Sequence, residues 1–352
     1  MAYTTIDKGS LHFNTKLYTG TAATNAQTGI GFQPDWVWIQ NRGGTYANVV
    51  FDVVRGTTKL LEPNNGSAEN TVSDTLTSFD SDGFTLGADS SNFCNRSSDN
   101  YVAWNWKAGN AQGSANTDGT INTTYTSVNT TAGFSISQYT GNGSNSTIGH
   151  GLGAVPQLIM VKDTGTSVDW LVYHSALGAT KNLRLNTNEQ VDTSSTIWYN
   201  TEPTSSVFSV GTASAVNGNG NNYIAYCFTP IQGYSKFGSY TGNGLADGSF
   251  VYTGFKPAFI MCRFTGSGNG YDWIMYDNKR PNSINPTSYI LEANTTDAEN
   301  TSSNFKCDFL SNGFKFRGTE SNVNDTSASY LYWAFAEAPF VGTNNIPSTA
   351  TR

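Results

Sequence analysis

The sequence predicts an all-β protein built as three tandem antiparallel β-sandwich or jelly-roll-like units. Three observations carry that prediction. Charged residues make up only 13% of the chain while aromatics reach 13% and glycine is abundant, a balance unlike that of disordered chains, which lack aromatics. Short apolar runs alternate with Gly-, Asn-, Ser- and Thr-rich turns, and no segment sustains a 3.6-residue period. Finally, one ten-residue stretch, Gly-Phe-Lys-Pro-Ala-Phe-Ile-Met-Cys-Arg at 254–263, has counterparts at 31–40 and 153–162.

In each copy a Gly stands three residues before a Pro (Pro34, Pro156, Pro257), and a short apolar run follows. Proline fixes φ and lacks an N–H, so it suits the entry to a strand. The run is short, β-branched and aromatic, which predicts a central strand buried on both faces. Each unit opens on Tyr-Thr-Gly, at Tyr18, Tyr139 and Tyr240. After the central strand comes a second apolar run ending at Asp52, His174 and Asp277, with the same offset from the proline in the first two units and two residues more in the third. A third strand is predicted at 60–62, 183–186 and 290–292. Asp82-Gly83 and Asn312-Gly313, flanked by alternating apolar residues, predict hairpins, with 207–210 as the matching strand of the second unit. Each unit closes on an aromatic strand starting at Tyr101, Tyr223 and Tyr330.

These landmarks divide the chain into unit one (1–109), a polar linker (110–132), unit two (133–231), unit three (232–341) and a tail (342–352). The first joint, rich in Asn, Thr, Gly and Ser, reads as a long linker or a polar extra strand, and the second is short and partly apolar. Units two and three are therefore expected to be fixed against each other, with more freedom before unit two. Each unit is large enough for a core of its own. The net charge of −7, without a Lys/Arg cluster, speaks against nucleic acid as a partner. No apolar run reaches membrane-spanning length, so no membrane insertion is expected, and the first residues lack a signal-peptide apolar region. Cys94, Cys227, Cys262 and Cys307 lack metal or redox spacing and read as buried free thiols, consistent with synthesis in a reducing cytoplasm.

The repeat resembles a domain of unknown function found in structural and tail-fibre-like proteins of marine bacteriophages, cyanophages above all. The resemblance rests on residues 31–42 (Gly-Phe-Gln-Pro-Asp-Trp-Val-Trp-Ile-Gln-Asn-Arg), 52–56, 78–87 and 101–107, then on 148–153 with Pro156, 233–244 and 334–340. It implies a virion component exposed on the particle surface, with other virion proteins and a host-surface glycan as partners. It brings no catalytic residues. Phage fibres are commonly trimeric, which makes a homotrimer one expectation; a pseudo-threefold monomer formed by the three units is the other.

The residues offer little chemistry. His12, His150 and His174 have no metal-ligand spacing, and no metal or cofactor is expected. Asp52 with Arg55 and Asp277 with Arg280 recur after the same strand and read as structural ion pairs that pin a turn. Asp80 and Asp82 lack the remaining ligands of a calcium loop. Trp198, Tyr199 and Asn200, in a Thr- and Ser-rich loop, form the candidate ligand site: an aromatic face packs on sugar C–H groups while an amide reads hydroxyls. The resulting expectation is a non-enzymatic phage virion protein, tail-fibre or spike-like or a capsid-surface appendage, acting in host-surface adhesion or virion decoration. A carbohydrate-binding module is the alternative, and a glycan depolymerase a further one.

Overall fold

Side chains alternate across a strand, so a strand apolar at every position must be covered on both sides. Each of the three proline-led stretches contains such a run, at 36–39, 158–161 and 258–262. In a computed structural model, which describes residues 2–281 and 285–347, they form the strands Trp36–Asn41, Leu158–Asp163 and Phe255–Phe264, buried along their whole length except at Lys256. Each is the centre of an antiparallel sheet of the same order. The opening strand (Phe13–Thr19, Phe134–Thr140, Ser235–Thr241) pairs with the closing strand (Asn100–Trp106, Asn222–Phe228, Ser329–Pro339). The closing strand pairs with the central one, which pairs in turn with Val49–Asp52, Leu171–His174 or Ile274–Asp277.

A smaller sheet covers the outer face of each large one. In the first unit it comprises Asn25–Gln27, Gly83–Leu86 and Leu76–Asp80; in the second, Ser146–Gly149 and Val207–Val210; in the third, Phe250–Tyr252, Gly313–Phe316 and Cys307–Leu310. The protein is thus all-β and sandwich-like. The expected Asp-Gly and Asn-Gly hairpins are present, with Asp80 opposite Gly83 and Leu310 opposite Gly313. Their glycines are needed for close approach: a Cβ on Gly83 would lie 1.8 Å from the Gln27 carbonyl oxygen, and one on Gly313 2.1 Å from that of Val251. All four cysteines are buried and free.

The Tyr-Thr-Gly openings form three copies of one knot. Tyr18, Tyr139 and Tyr240 stack on Tyr101, Tyr223 and Tyr330 with centroids 5.2, 5.1 and 5.0 Å apart. Their hydroxyls donate to the carbonyls of Cys94, Val216 and Val323 at 2.6, 2.7 and 2.8 Å. Next to each knot a buried Asn (Asn95, Asn217, Asn324) accepts the N–H of the residue following the glycine. The glycine itself is pressed against backbone, because a Cβ on Gly20, Gly141 or Gly242 would meet a carbonyl oxygen at 2.1, 2.4 and 2.4 Å.

The inner faces of the three large sheets meet in one core. Trp36 and Trp106 of the first sheet pack with Tyr226 and Phe228 of the second and with Phe259 and Phe335 of the third, at centroid distances of 4.8 Å (Trp36–Tyr226), 5.8 Å (Trp106–Phe259) and 5.7 Å (Phe228–Phe335). The void left between these rings is only about 10 Å³, no more than a single water occupies. The outer faces of the first two units have cores of their own, around Val37 and Ile39 and around Ile159 and Val161.

Of the two readings of the first joint, the linker is corrected and the polar extra strand holds. Within residues 110–132, Thr123–Asn129 is a strand that extends the second sheet beyond its opening strand. The segment before it is tied to the first unit, since Asp35 accepts the N–H groups of Ala108 and Asn110 at 2.6 and 3.0 Å and Gln112 donates to the Val54 carbonyl. Nor is there more freedom before the second unit than between the second and third, because all three share the core. The chain ends close the ring. Ile6 is buried in the common core, Gly9 lies against Ala336, and Asp7 accepts the Thr343 N–H. The first part of the expected tail, 342–347, therefore folds onto the N-terminal segment, where Tyr3 N–H donates to Asn345 at 2.9 Å; residues 348–352 lie outside the described residues.

A shared core makes unfolding a single event. Trp36→Ala is expected to cost about 3–5 kcal/mol and to lower one common transition, followed by near-UV circular dichroism and by cysteine accessibility at Cys94, Cys227 and Cys307. Separate transitions for the three thiols would contradict this.

Candidate functional site

The last residue of the strand paired to each central one, Asp52, His174 or Asp277, does two jobs in all three units. One acceptor atom caps the following turn. Asp52 Oδ1 accepts from Val54 and Arg55 N–H, Asp277 Oδ1 from Lys279 and Arg280 N–H, and His174 Nδ1 from Ala176 N–H at 3.1 Å. The other atom reaches the next unit. Asp52 Oδ2 accepts from the Tyr226 hydroxyl at 2.7 Å, Asp277 Oδ2 accepts from Trp104 Nε1 at 3.0 Å, and His174 Nε2 donates to the Tyr332 carbonyl at 3.3 Å. The contacts run cyclically: unit one to two, two to three, three to one.

The expected ion pairs are present, with Arg55 Nε 2.5 Å from Asp52 and Arg280 Nε 2.5 Å from Asp277, every side chain fully buried. Each guanidinium holds a second carboxylate, Glu69 at 3.3 Å and Glu299 at 3.2 Å. Burial opposes the charge of Arg55, but Asp52, Tyr226 and Glu69 together outweigh it and hold the guanidinium pKa above its ordinary value. The second unit carries His174, Leu177 and Val191 at these three positions, and the two aliphatic side chains pack against the common core. A buried ion triad can be replaced by apolar groups of similar volume without loss of fold, which is what a structural role permits.

The candidate loop at 198–200 is split by the fold. Trp198 is not exposed: it is 2% accessible, packed edge-on at 6.0 Å against Tyr173 inside the outer core of its own unit. Its ring face is therefore unavailable to a ligand. The surrounding residues explain why. Glu202, four positions on, accepts the Tyr173 hydroxyl and the Ala179 N–H, drawing the loop down onto the sandwich. Tyr199 is 50% accessible, and both it and Asn200 adopt left-handed backbone. Asp82 is no cation ligand in this arrangement; its carboxylate caps Gly31 and Gly29 N–H groups at 2.6 and 2.9 Å, which hold its pKa below the usual range. Among the described residues no three His, Cys, Asp or Glu side chains converge on a metal position.

One open feature was not visible as a motif. It is a groove of about 790 Å³ along the junction of the second and third units. At its floor the half-buried Tyr271 lies over the buried Phe264, with ring centroids 3.9 Å apart and planes inclined at 31°. Its walls carry the Lys181 ammonium from the second unit, Asp325, and the hydroxyls of Ser239, Thr241, Ser267 and Ser327 from the third. The signal available in the sequence was the two-residue lengthening between Pro257 and Asp277.

Fold and site together define an all-β, sandwich-like protein with internally satisfied ion pairs and an open polar groove between its second and third units. The chain belongs to the family described as Domain of unknown function (DUF7483), which matches residues 8–339 and so takes in all three sheets. No curated protein and no solved structure matches the chain.

Two predictions test the structural role of the recurring position. Arg55→Ala, which leaves Asp52 and Glu69 buried without their cation, is expected to cost about 3–5 kcal/mol in denaturant unfolding. The combined change Asp52→His, Arg55→Leu and Glu69→Val, copying the second unit, is expected to cost less than that single change. For His174, burial lowers the pKa to about 4, against about 6.5 unfolded. Between these values the unfolded state binds more protons, so the stability His174 contributes falls as pH drops from about 6.5 to about 4. Asp35 and Glu292, raised by burial to about 6 and about 7, act with the opposite sign in the same range. The difference in unfolding free energy between wild type and His174→Gln isolates the histidine: it is expected to shift against wild type on acidification by at most about 1.4 kcal/mol per pH unit, and a flat difference would refute the assignment.

Proposed function

We propose that the chain is a non-enzymatic component of a phage virion, carried on the tail or capsid surface, that acts in host-surface adhesion or virion decoration. The observation that carries the reading is the cyclic set of bonds at Asp52, His174 and Asp277, which locks three sandwiches around one aromatic core. Loops mounted on such a body keep a fixed spacing, so binding through them costs little ordering entropy. The resemblance of the repeat to phage tail-fibre-like proteins supplies the setting. The ring also supports the pseudo-threefold monomer over the homotrimer, because three equivalent sheets within one chain already surround the core.

The carbohydrate-binding alternative is favoured by the groove floored by Phe264 and Tyr271 rather than by the loop at Trp198. Mass spectrometry and reconstruction of purified particles test the virion reading. The chain is expected in the particle with its loop tips facing outward; its absence from particles, or burial of every loop between other subunits, would overturn it. An assay for reducing ends after incubation with host polysaccharide is expected to show no release.

A further inference from the structure

We infer that the groove between the second and third units is a subsite for a neutral saccharide, with the half-buried Tyr271 ring, backed by the buried Phe264, as its platform. This deepens the surface-display reading and rests on it only for its biological use. The argument starts from the two other units. The residue that ends the central strand is Asn41 in the first and Asp163 in the second. Each caps its own tight turn, accepting from Gly43 and Gly44 N–H at 2.8 and 2.9 Å and from Gly165 and Thr166 N–H at 2.8 and 2.9 Å. Each is also tied to the loop before the closing strand: Asn41 Nδ2 donates to Asp99 at 2.8 Å and Asn221 Nδ2 to Asp163 at 2.7 Å. These side-chain ties close that corner of the sandwich.

In the third unit both partners are changed. Phe264 stands at the position of Asn41 and Asp163, and Ala328 at that of Asp99 and Asn221, the residues whose carbonyls receive the Gly20, Gly141 and Gly242 N–H groups. No polar tie is available between them. The following loop is longer and doubles back so that Tyr271 lies on Phe264, and Gly266 permits it, since a Cβ there would sit 2.2 Å from the Phe264 ring. The bonds across the junction differ as well. The main-chain bonds Glu69 N–H to Thr164 and Glu299 N–H to Arg42 join the other two pairs of units, whereas here the longer loop supplies Gly270 N–H to the Asn188 carbonyl. One corner in three is thus opened and floored with aromatic rings.

What surrounds the floor suits a sugar. Ser239, Thr241, Ser267, Ser327 and Lys181 line the groove, and among the described residues their hydroxyls and ammonium take no partner in the protein, which leaves them free to hydrogen-bond a ligand. Aromatic rings pack on the C–H faces of a pyranose, and convergent hydroxyl and carboxylate groups read its hydroxyls. Lys181 and Asp325 balance in charge, which favours a neutral saccharide over an anionic one. The volume falls within the roughly 300–1,000 Å³ typical of small-ligand sites.

The test uses the full chain and a panel of neutral oligosaccharides: maltotetraose, cellotetraose, xylotetraose, laminaritetraose and chitotetraose. Saturation-transfer NMR and titration calorimetry are expected to find at least one that binds saturably. Tyr271→Ala is expected to weaken it at least tenfold, and Ser267→Trp, which fills the groove from an exposed loop, to abolish it. Tyr199→Ala, on a separate loop, is expected to leave affinity unchanged. Failure of the wild type to bind any member of the panel, or undiminished affinity in a variant whose melting temperature is preserved, would overturn the proposal. Particle location is measured independently, so a failed groove does not refute surface display, nor the reverse.

Discussion

Each central strand is apolar on both faces, and its own unit can cover only one of them. That constraint organises the molecule. The outer faces of Val37, Ile159 and their neighbours are sealed by the small sheets, while Trp36, Met160 and Met261 remain facing inward and need the other two units. Three large sheets turned toward one another satisfy all of them at once, and packing to a void of about 10 Å³ leaves little room for any one sheet to shift alone. The N-terminal segment lying on the last strand completes the closure.

The buried polar residues at 52, 174 and 277 work within this frame. A turn leaving the shared core exposes main-chain N–H groups that water cannot reach, so a side-chain acceptor is required there. Asp supplies it twice and a neutral His once, and the ion triad around the Asp is dispensable where Leu177 and Val191 fill the same space. What persists is the two-sided hydrogen bonding, cap on one side and neighbouring unit on the other. That is why a catalytic reading of His174 finds no support in its surroundings: both ring nitrogens are engaged with main chain, and burial keeps the ring neutral.

Much of the fold was legible in the sequence because its signals are local. The proline-led runs, the Asp-Gly and Asn-Gly turns and the aromatic closing strands each state their geometry within a few residues. The Asp52–Arg55 and Asp277–Arg280 pairs were legible for the same reason. Trp198 misled because composition describes a loop's neighbours in sequence, whereas its burial depends on Tyr173 and Glu202 from elsewhere in the unit. Thr123–Asn129 stayed ambiguous between linker and polar extra strand, because an edge strand needs apolar residues on one face at most and its Thr and Ser content suits either. The groove is hardest of all to read, since it arises from a missing tie between Phe264 and Ala328 that only comparison with Asn41–Asp99 and Asp163–Asn221 reveals.

The central claim is that no unit folds on its own. The most direct measurement is a two-dimensional amide NMR spectrum of residues 110–231 expressed alone, which comprise the second unit with its added strand. The account predicts a collapsed or aggregated chain with poor amide dispersion, because Trp170, Tyr226 and Phe228 would lose the surfaces that bury them. A dispersed spectrum from a stable monomer would contradict it.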